Sequence, residues 1–254
     1  MKKFSVANQK GGVGKTTVTR HLAFSAVERG LRTLAIDLDP QGNLTRSIRA
    51  QLADPGSAAD LSNAHLLFQS NVAPVPQQIA ENLSLLAGNS DLTAVLEWPI
   101  DCVEHARAHL ANLDAEFDIC LIDTPPTMCN LLFAGMICAD YLAMPCDLDE
   151  DATTGLLDLA DQAERIREHF NPGLELVGVL LNKVNSRRAY DQAERIALRN
   201  QWGDVVLDVE LQERSATKLA KKAPVWKNPR GDSDRRAARE MRAVCDAIFS
   251  KIGI

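Results

Sequence analysis

At 254 residues, 46% of them hydrophobic, the chain can bury a substantial core as one large α/β unit or two small ones. No apolar run approaches the ~20 residues of a membrane span, and Met1-Lys2-Lys3-Phe4 leads straight into strand-like sequence, so neither a spanning helix nor a signal peptide is expected and a cytoplasmic protein is the simple reading. The net charge of −6 hides an asymmetry: residues 1–182 carry 12 Lys/Arg against 24 Asp/Glu and residues 183–254 carry 16 against 10, a basic last third that points to a polyanionic partner.

Short apolar runs alternate with longer amphipathic ones. Residues 4–7 read as a strand, 9–17 as a glycine-rich turn and 17–28 as a helix; 31–37 form a buried strand ending in acid, and 39–43 break into a loop. Residues 51–78, rich in Ala, Ser, Asn and Pro, yield only an expectation of short helices and loop. Further strands are expected at 82–87, 118–123, 141–144, 176–181 and 205–209. Helices are expected at 102–113, 131–138, 154–169 and 215–222, with one more before 205 and a terminal helix from about 234. The alternation predicts an α/β fold, a mainly parallel twisted sheet with helices on both faces. With no linker or repeat in view, residues 1–254 read as a single domain.

Gln9-Lys10-Gly11-Gly12-Val13-Gly14-Lys15-Thr16-Thr17, between strand and helix, fits a phosphate-binding loop. Its glycines let backbone N–H groups turn inward, Lys15 reaches the β- and γ-phosphates, and Thr16 offers a hydroxyl to Mg²⁺. The general pattern G-x-x-x-x-G-K-S/T is met at Gly14, Lys15 and Thr16 but opens on Gln9 rather than glycine, and a second lysine, Lys10, precedes the glycines. A plain strand-to-helix turn is the competing reading, opposed by the agreement of strand, GKT and helix. Asp37 and Asp123 each close an apolar strand, and in a parallel sheet such ends converge where ligands bind. They are the candidate Mg²⁺-side carboxylates, the alternative being aspartates that only cap a turn.

KGGVGKTT resembles the deviant Walker A signature of the ParA/MinD/nitrogenase-iron-protein superfamily of P-loop NTPases. DLDPQGN (residues 37–43), LIDTPP (121–126) and YLAMPCDLDEDATTGL (141–156) follow in that family's order. The resemblance implies ATP with Mg²⁺, Lys15 as the lysine acting on its own nucleotide, and Lys10 as one that reaches the partner's nucleotide across an ATP-dependent homodimer. It also implies Thr17 at the α-phosphate, Asp39 orienting the attacking water, and Thr124, Pro125 and Pro126 as a second switch. Asn182-Lys183-Val184-Asn185 lacks the aspartate of a guanine-reading NKxD, which favours adenine, and the resemblance selects Asn182 over Asn185 as its contact; a turn asparagine is the competing reading.

Arg187, Arg188, Arg214, Lys218, Lys221, Lys222, Lys227 and Arg230 are the candidate polyanion face, with Lys218, Lys221 and Lys222 at helical spacing; solvated surface charge is the alternative. ParA-like proteins bind DNA non-specifically through this portion of the chain, which makes a small partition ATPase, associated with the nucleoid and stimulated by a ParB-like or adaptor protein, the form most resembled. With the loop at the N-terminus, no preceding helix-turn-helix domain is expected. The six cysteines contain no CxxC pair and read as buried thiols, although Cys129 stands where iron proteins of the superfamily ligate a cluster. Two other classes stay open. A MinD-like membrane switch would use the terminal stripe of Met241, Val244, Cys245, Ile248, Phe249 and Ile252, for which core packing is the simpler account, so no stable membrane association is expected. An ATP-dependent carboxylate-activating synthase would need a small-substrate pocket that no motif here supplies.

Overall fold

Along each inner strand, alternate side chains enter opposite apolar layers, as the two-residue period of a pleated strand requires. The computed structural model describes residues 1–51, 62–149 and 152–254. Leu34 and Ile36 of β2 (Thr33–Asp37), Cys120 and Ile122 of β5 (Ile119–Asp123), and Leu142 and Met144 of β6 (Tyr141–Cys146) enter one layer. They pack there against α4 (Cys102–Asn112), α5 (Asn130–Ile137) and α6 (Ala152–His169). Phe4 and Val6 of β1 (Lys2–Val6), with Ala35, Leu121 and Ala143, face the other layer. That layer is closed by α1 (Lys15–Glu28), α2 (Asn43–Arg49) and α9 (Asp232–Lys251).

The remaining strands are β3 (Gln77–Ala80), β4 (Leu83–Leu86), β7 (Glu175–Val184) and β8 (Val206–Gln212), and the sheet order is β3-β4-β2-β5-β1-β6-β7-β8. Every pairing among them is parallel except β3 with β4. Pairing of Asp37 with Asp123, and of Asp123 with Val6, brings both acids level with the start of the glycine-rich loop. The expected convergence of strand ends is therefore built by sheet register alone.

Three expectations need correction. β3 begins inside the stretch expected to hold short helices and loop, being four residues on an edge and too short for a periodic signal, and α2 and the short α3 (Leu92–Val95) lie where no element was assigned. Residues 52–61, within the unassigned stretch, lie outside the described residues, as do Glu150 and Asp151. β7 runs through Asn182 and Lys183 to Val184 instead of stopping at 181. Helix α8 (Ser215–Leu219) ends three residues early, because the Lys221 and Lys222 carbonyls accept side-chain bonds from Arg20 and Gln51 and Pro224 follows.

The terminal stripe is core. Met241, Val244, Cys245, Ile248, Phe249 and Ile252 are each at most 2% exposed. At roughly 2 kcal/mol each, their burial contributes on the order of 10 kcal/mol to the fold, and with all six in the core this helix face presents no apolar stripe on the surface. No helix among the described residues is long and apolar enough to cross a membrane.

Candidate active site

The loop after β1 holds its shape from below. Gly14 has φ of 100°, and a Cβ there would lie 2.2 Å from Asn182 Nδ2, so the backbone and the space beneath both demand glycine. Asn182 Nδ2 donates to the Val13 carbonyl at 2.6 Å, while its Oδ1 accepts the Lys183 N–H at 2.8 Å. The residue expected on adenine is thus placed as a brace under the phosphate loop. Lys183, next to it, has φ of 56°, a costly geometry for a side-chain-bearing residue that turns the end of β7 toward the loop.

Lys15 is 6% exposed and its ammonium donates to the Lys10 carbonyl at 3.0 Å. Burial lowers its pKa, against the pull of Asp123 and Asp39. Thr16 Oγ1 donates to Asp123 Oδ2 at 2.6 Å, the proximity that a shared divalent cation requires. Asp123 is fully buried, and burial, then the neighbouring Asp37 charge, raises its pKa well above the ordinary range. Asp37 ties down the segment that carries Asp39. Its Oδ1 accepts the Asp39 N–H at 3.1 Å, and its Oδ2 accepts the Thr45 N–H and hydroxyl at 2.8 and 2.7 Å. Burial nevertheless pushes its pKa up to about 6. Two carboxylates side by side in a dry site call for a cation, and hydroxyl and carboxylate oxygens are the hard donors that suit Mg²⁺.

A cavity of about 640 Å³ opens above these groups. Gly11, Gly12, Gly14, Lys15, Thr16 and Thr17 line it, with Asp39 and Pro126 on the switch side. Gly42, in the left-handed region at φ 61°, starts α2 beside it. Thr124 turns inward and donates to the Val6 carbonyl at 2.9 Å, so of the 124–126 segment only Pro126 reaches the cavity.

Lys10 points elsewhere. Its amine lies 3.1 Å from Asp147 Oδ1 and closes an ion pair with Asp149, both on the loop after β6; Lys183 Nζ lies 4.0 Å from Asp147 on the other side. Neither aspartate was singled out from the sequence, although both lie in the 141–156 run, past a strand end on the ligand edge. His21 was also missed. It is fully buried on α1, and since the Thr17 carbonyl (2.7 Å) can only accept and the Val225 N–H (3.1 Å) can only donate, Nδ1 carries the proton and Nε2 accepts. Burial, then the Arg20 charge, pushes its pKa down to about 3, so it stays neutral. Trp226 packs on it with ring centroids 5.4 Å apart.

The basic residues divide into groups. Arg214 makes a two-point bond to Glu240 at 2.8 and 2.5 Å and is one-fifth exposed, which removes it from the free positive face. Lys218 pairs with Glu213 at 2.7 Å and Arg188 lies 3.9 Å from Asp191. Among the described residues, Arg187, Lys221, Lys222, Lys227 and Arg230 make no ion pair and are exposed. Lys218, Lys221 and Lys222 do not share a helix face, since α8 ends at Leu219, yet all three line the nucleotide-sized cavity. Five cysteines are buried and Cys129 half-buried; burial pushes the Cys138, Cys146 and Cys245 thiols up to about 12, which leaves them unreactive.

A family model described as "AAA domain" matches residues 1–176. The chromosome-partitioning ATPase Soj of Thermus thermophilus is 30% identical over 259 residues, covering 96% of both chains. This chain belongs to the ParA-type partition ATPase family. A second relative of this ParA-type ATPase, Protein IncC of Escherichia coli, is 32% identical over 261 residues, all of this chain and 70% of IncC. Cobyrinic acid a,c-diamide synthase from Mycobacterium smegmatis, solved with an ATP analog and magnesium, is 27% identical with a TM-score of 0.81, covering 100% of this chain and 97% of that one. The P-loop fold of the ParA-type ATPase is thus shared with a synthase, and the family is carried by the likeness to Soj.

Proposed function

We propose that the chain is an ATP-dependent dimerising switch that binds DNA non-specifically and hydrolyses ATP to position a plasmid, a chromosomal region or a protein cargo on the nucleoid. Residues 1–254 are read as one ATPase domain, in keeping with the unbroken eight-stranded sheet. The observation that carries the reading is the separation of the two lysines: Lys15 lies inside its own cavity, whereas Lys10 lies outside it, held by carboxylates.

In this account Lys15 and the loop N–H groups hold the β- and γ-phosphates, Thr17 takes the α-phosphate, and Asn182 acts through the loop it braces. Thr16, Asp123 and Asp37 make the cation side of the site. Magnesium, when bound, supplies charge neutralisation across the transferring phosphoryl group. Asp39, which lines the cavity and accepts the Gln41 N–H at 2.9 Å, positions the attacking water, a role of alignment rather than base strength. Lys10 leaves Asp147 and Asp149 to reach the partner's nucleotide, so that two triphosphates share four lysines. The joined dimer doubles Arg187, Lys227 and Arg230, which make no ion pair among the described residues, into a salt-sensitive grip on the DNA backbone. A ParB-like or adaptor protein accelerates turnover.

Retention on DNA, measured with ADP, ATP and a non-hydrolysable analogue across a salt series, tests this reading. Retention only with ATP or the analogue, lost as salt rises, is expected; retention indifferent to nucleotide contradicts it. Asp39→Ala is expected to stay on DNA with ATP, and ordinary turnover in that variant excludes the role given to Asp39. The likeness to the synthase supports a second reading, carboxylate activation, which a metabolite-dependent release of ADP unaffected by DNA would favour.

A further inference from the structure

Arg20 is 4% exposed, yet it forms no ion pair among the described residues. Its Nη1 donates to Ser47 Oγ at 3.2 Å and to the Lys221 carbonyl at 3.3 Å, both uncharged, and its Nε and Nη2 have no acceptor among the described residues. A buried guanidinium left in this state is costly unless something brings it acceptors. Arg20 lines the same cavity as the phosphate loop, and so do Lys221 and Lys222, whose ammonium groups also lack a carboxylate partner among the described residues. Arg46 and Lys218 add charge to the wall, although Arg46 is spent on the Gln41 carbonyl and the Asn43 side chain and Lys218 on Glu213. Among the described residues, the one carboxylate lining the cavity is Asp39. Arg20 lies four residues beyond Thr16 on α1, about 6 Å along the helix, which separates this cationic wall from the residues that meet the β- and γ-phosphates.

We propose that Arg20, Lys221 and Lys222 form a second phosphate subsite within the nucleotide cavity, distinct from the phosphate loop. Concave, positively charged walls concentrate anions, and a phosphate oxygen is an acceptor that satisfies a guanidinium and two ammonium groups together. The group it takes is a phosphate other than the β- and γ-phosphates, carried either by the DNA backbone or by the ribose of the bound nucleotide. This deepens the nucleotide reading above and rests on it. A DNA phosphate there would meet the nucleotide in one cavity, so each would alter the binding of the other directly; a ribose phosphate there would add to the nucleotide's own affinity.

The test is calorimetric titration of inorganic phosphate into the full chain saturated with ADP and Mg²⁺. One saturable phosphate site is expected, weakened at least about tenfold by Lys221→Gln with Lys222→Gln, the loss of charge-assisted hydrogen bonds. Those two side chains are exposed, so the double variant keeps the test valid if Arg20→Gln fails to fold. Displacement of the phosphate by mixed-sequence duplex DNA identifies a backbone phosphate. An adenosine 3′-phosphate 5′-diphosphate that binds more tightly than ADP in the wild type but not in the double variant identifies a ribose phosphate. Absence of saturable phosphate binding, or binding unchanged in the double variant, overturns the subsite. Phosphate uptake that needs Lys221 and Lys222 in a protein that takes up no ADP keeps the subsite and removes the nucleotide reading instead.

Discussion

The Lys10 ammonium lies 3.1 Å from the Asp147 carboxylate, so the lysine that precedes the glycines is held by the loop after β6 rather than by the phosphate site it borders. An amine engaged there cannot serve a second subunit at the same time, so in the proposed dimer its release would be part of the cost of pairing. Lys10 is one-third exposed and Asp147 about one-sixth, so the pair contributes about 1 kcal/mol at most. Asp147→Asn is therefore expected to lower the ATP concentration needed for dimerisation by about fivefold or less. Light scattering across an ATP series measures this, and a variant needing more ATP than wild type contradicts the holding role.

Two glycines of the loop should fail in different ways. A Cβ at Gly14 would strike Asn182 Nδ2 and demand φ of 100° from an L-residue, so Gly14→Ala should abolish nucleotide binding and lower stability. Gly11 is exposed, and among the described residues a Cβ there meets only Pro126 Cβ, at 4.0 Å. Gly11→Val should keep nucleotide binding and lose dimerisation, because the added branch occupies the face a partner approaches. Equal nucleotide affinity in both variants would show that the brace beneath Gly14 is immaterial.

The paired acids set a pH dependence. An unfolded aspartate titrates at about 4. Folded Asp37 titrates at about 6. Between these values the folded state holds the additional proton, so this group's contribution to stability is lost as pH rises through the window. A divalent cation needs the ionised pair and so binds better as pH rises through the same range. The increase in Tm on adding Mg²⁺ should be larger at pH 7 than at pH 5, and Asp37→Asn should flatten that difference. A magnesium effect independent of pH in the wild type contradicts the arrangement.

Arg214 and Arg187 test which charge is structural and which would face DNA. Arg214 joins the start of α8 to α9 through Glu240, and Arg214→Gln should cost about 1 kcal/mol of stability. It should leave the salt dependence of DNA binding unchanged. Arg187, exposed and without an ion pair among the described residues, should do the reverse: Arg187→Gln should reduce the slope of log K against log salt by about 1 per subunit with no loss of Tm. The opposite assignment of effects would restore Arg214 to the DNA face.

How much of this was legible in the sequence follows from the range of each signal. The strand, glycine-rich turn and helix at the N-terminus, β2 and β5 with their terminal acids, and the packing of α9 rest on contiguous motifs and periodicity, and the structure reproduces them. Asp147 and Asp149 escaped notice because their meaning depends on β6 lying next to β1. His21 and Arg20 sit on α1 with no motif of their own, and their partners Val225 and Lys221 are 204 and 201 residues away in the chain. The helix expected through residue 222 followed a correct local pattern and was cut short by tertiary hydrogen bonds to two carbonyls. β3, four residues long, offered nothing to read.

Whether Lys10 acts across a subunit interface is decided most directly by the molar mass in solution, from multi-angle light scattering with ATP and Mg²⁺, using Asp39→Ala to hold the triphosphate. A dimer with ATP, a monomer with ADP, and a monomer for Lys10→Ala under both nucleotides while ATP still binds are the expected results. A monomer throughout, or a dimer that forms equally well without the Lys10 amine, contradicts that role.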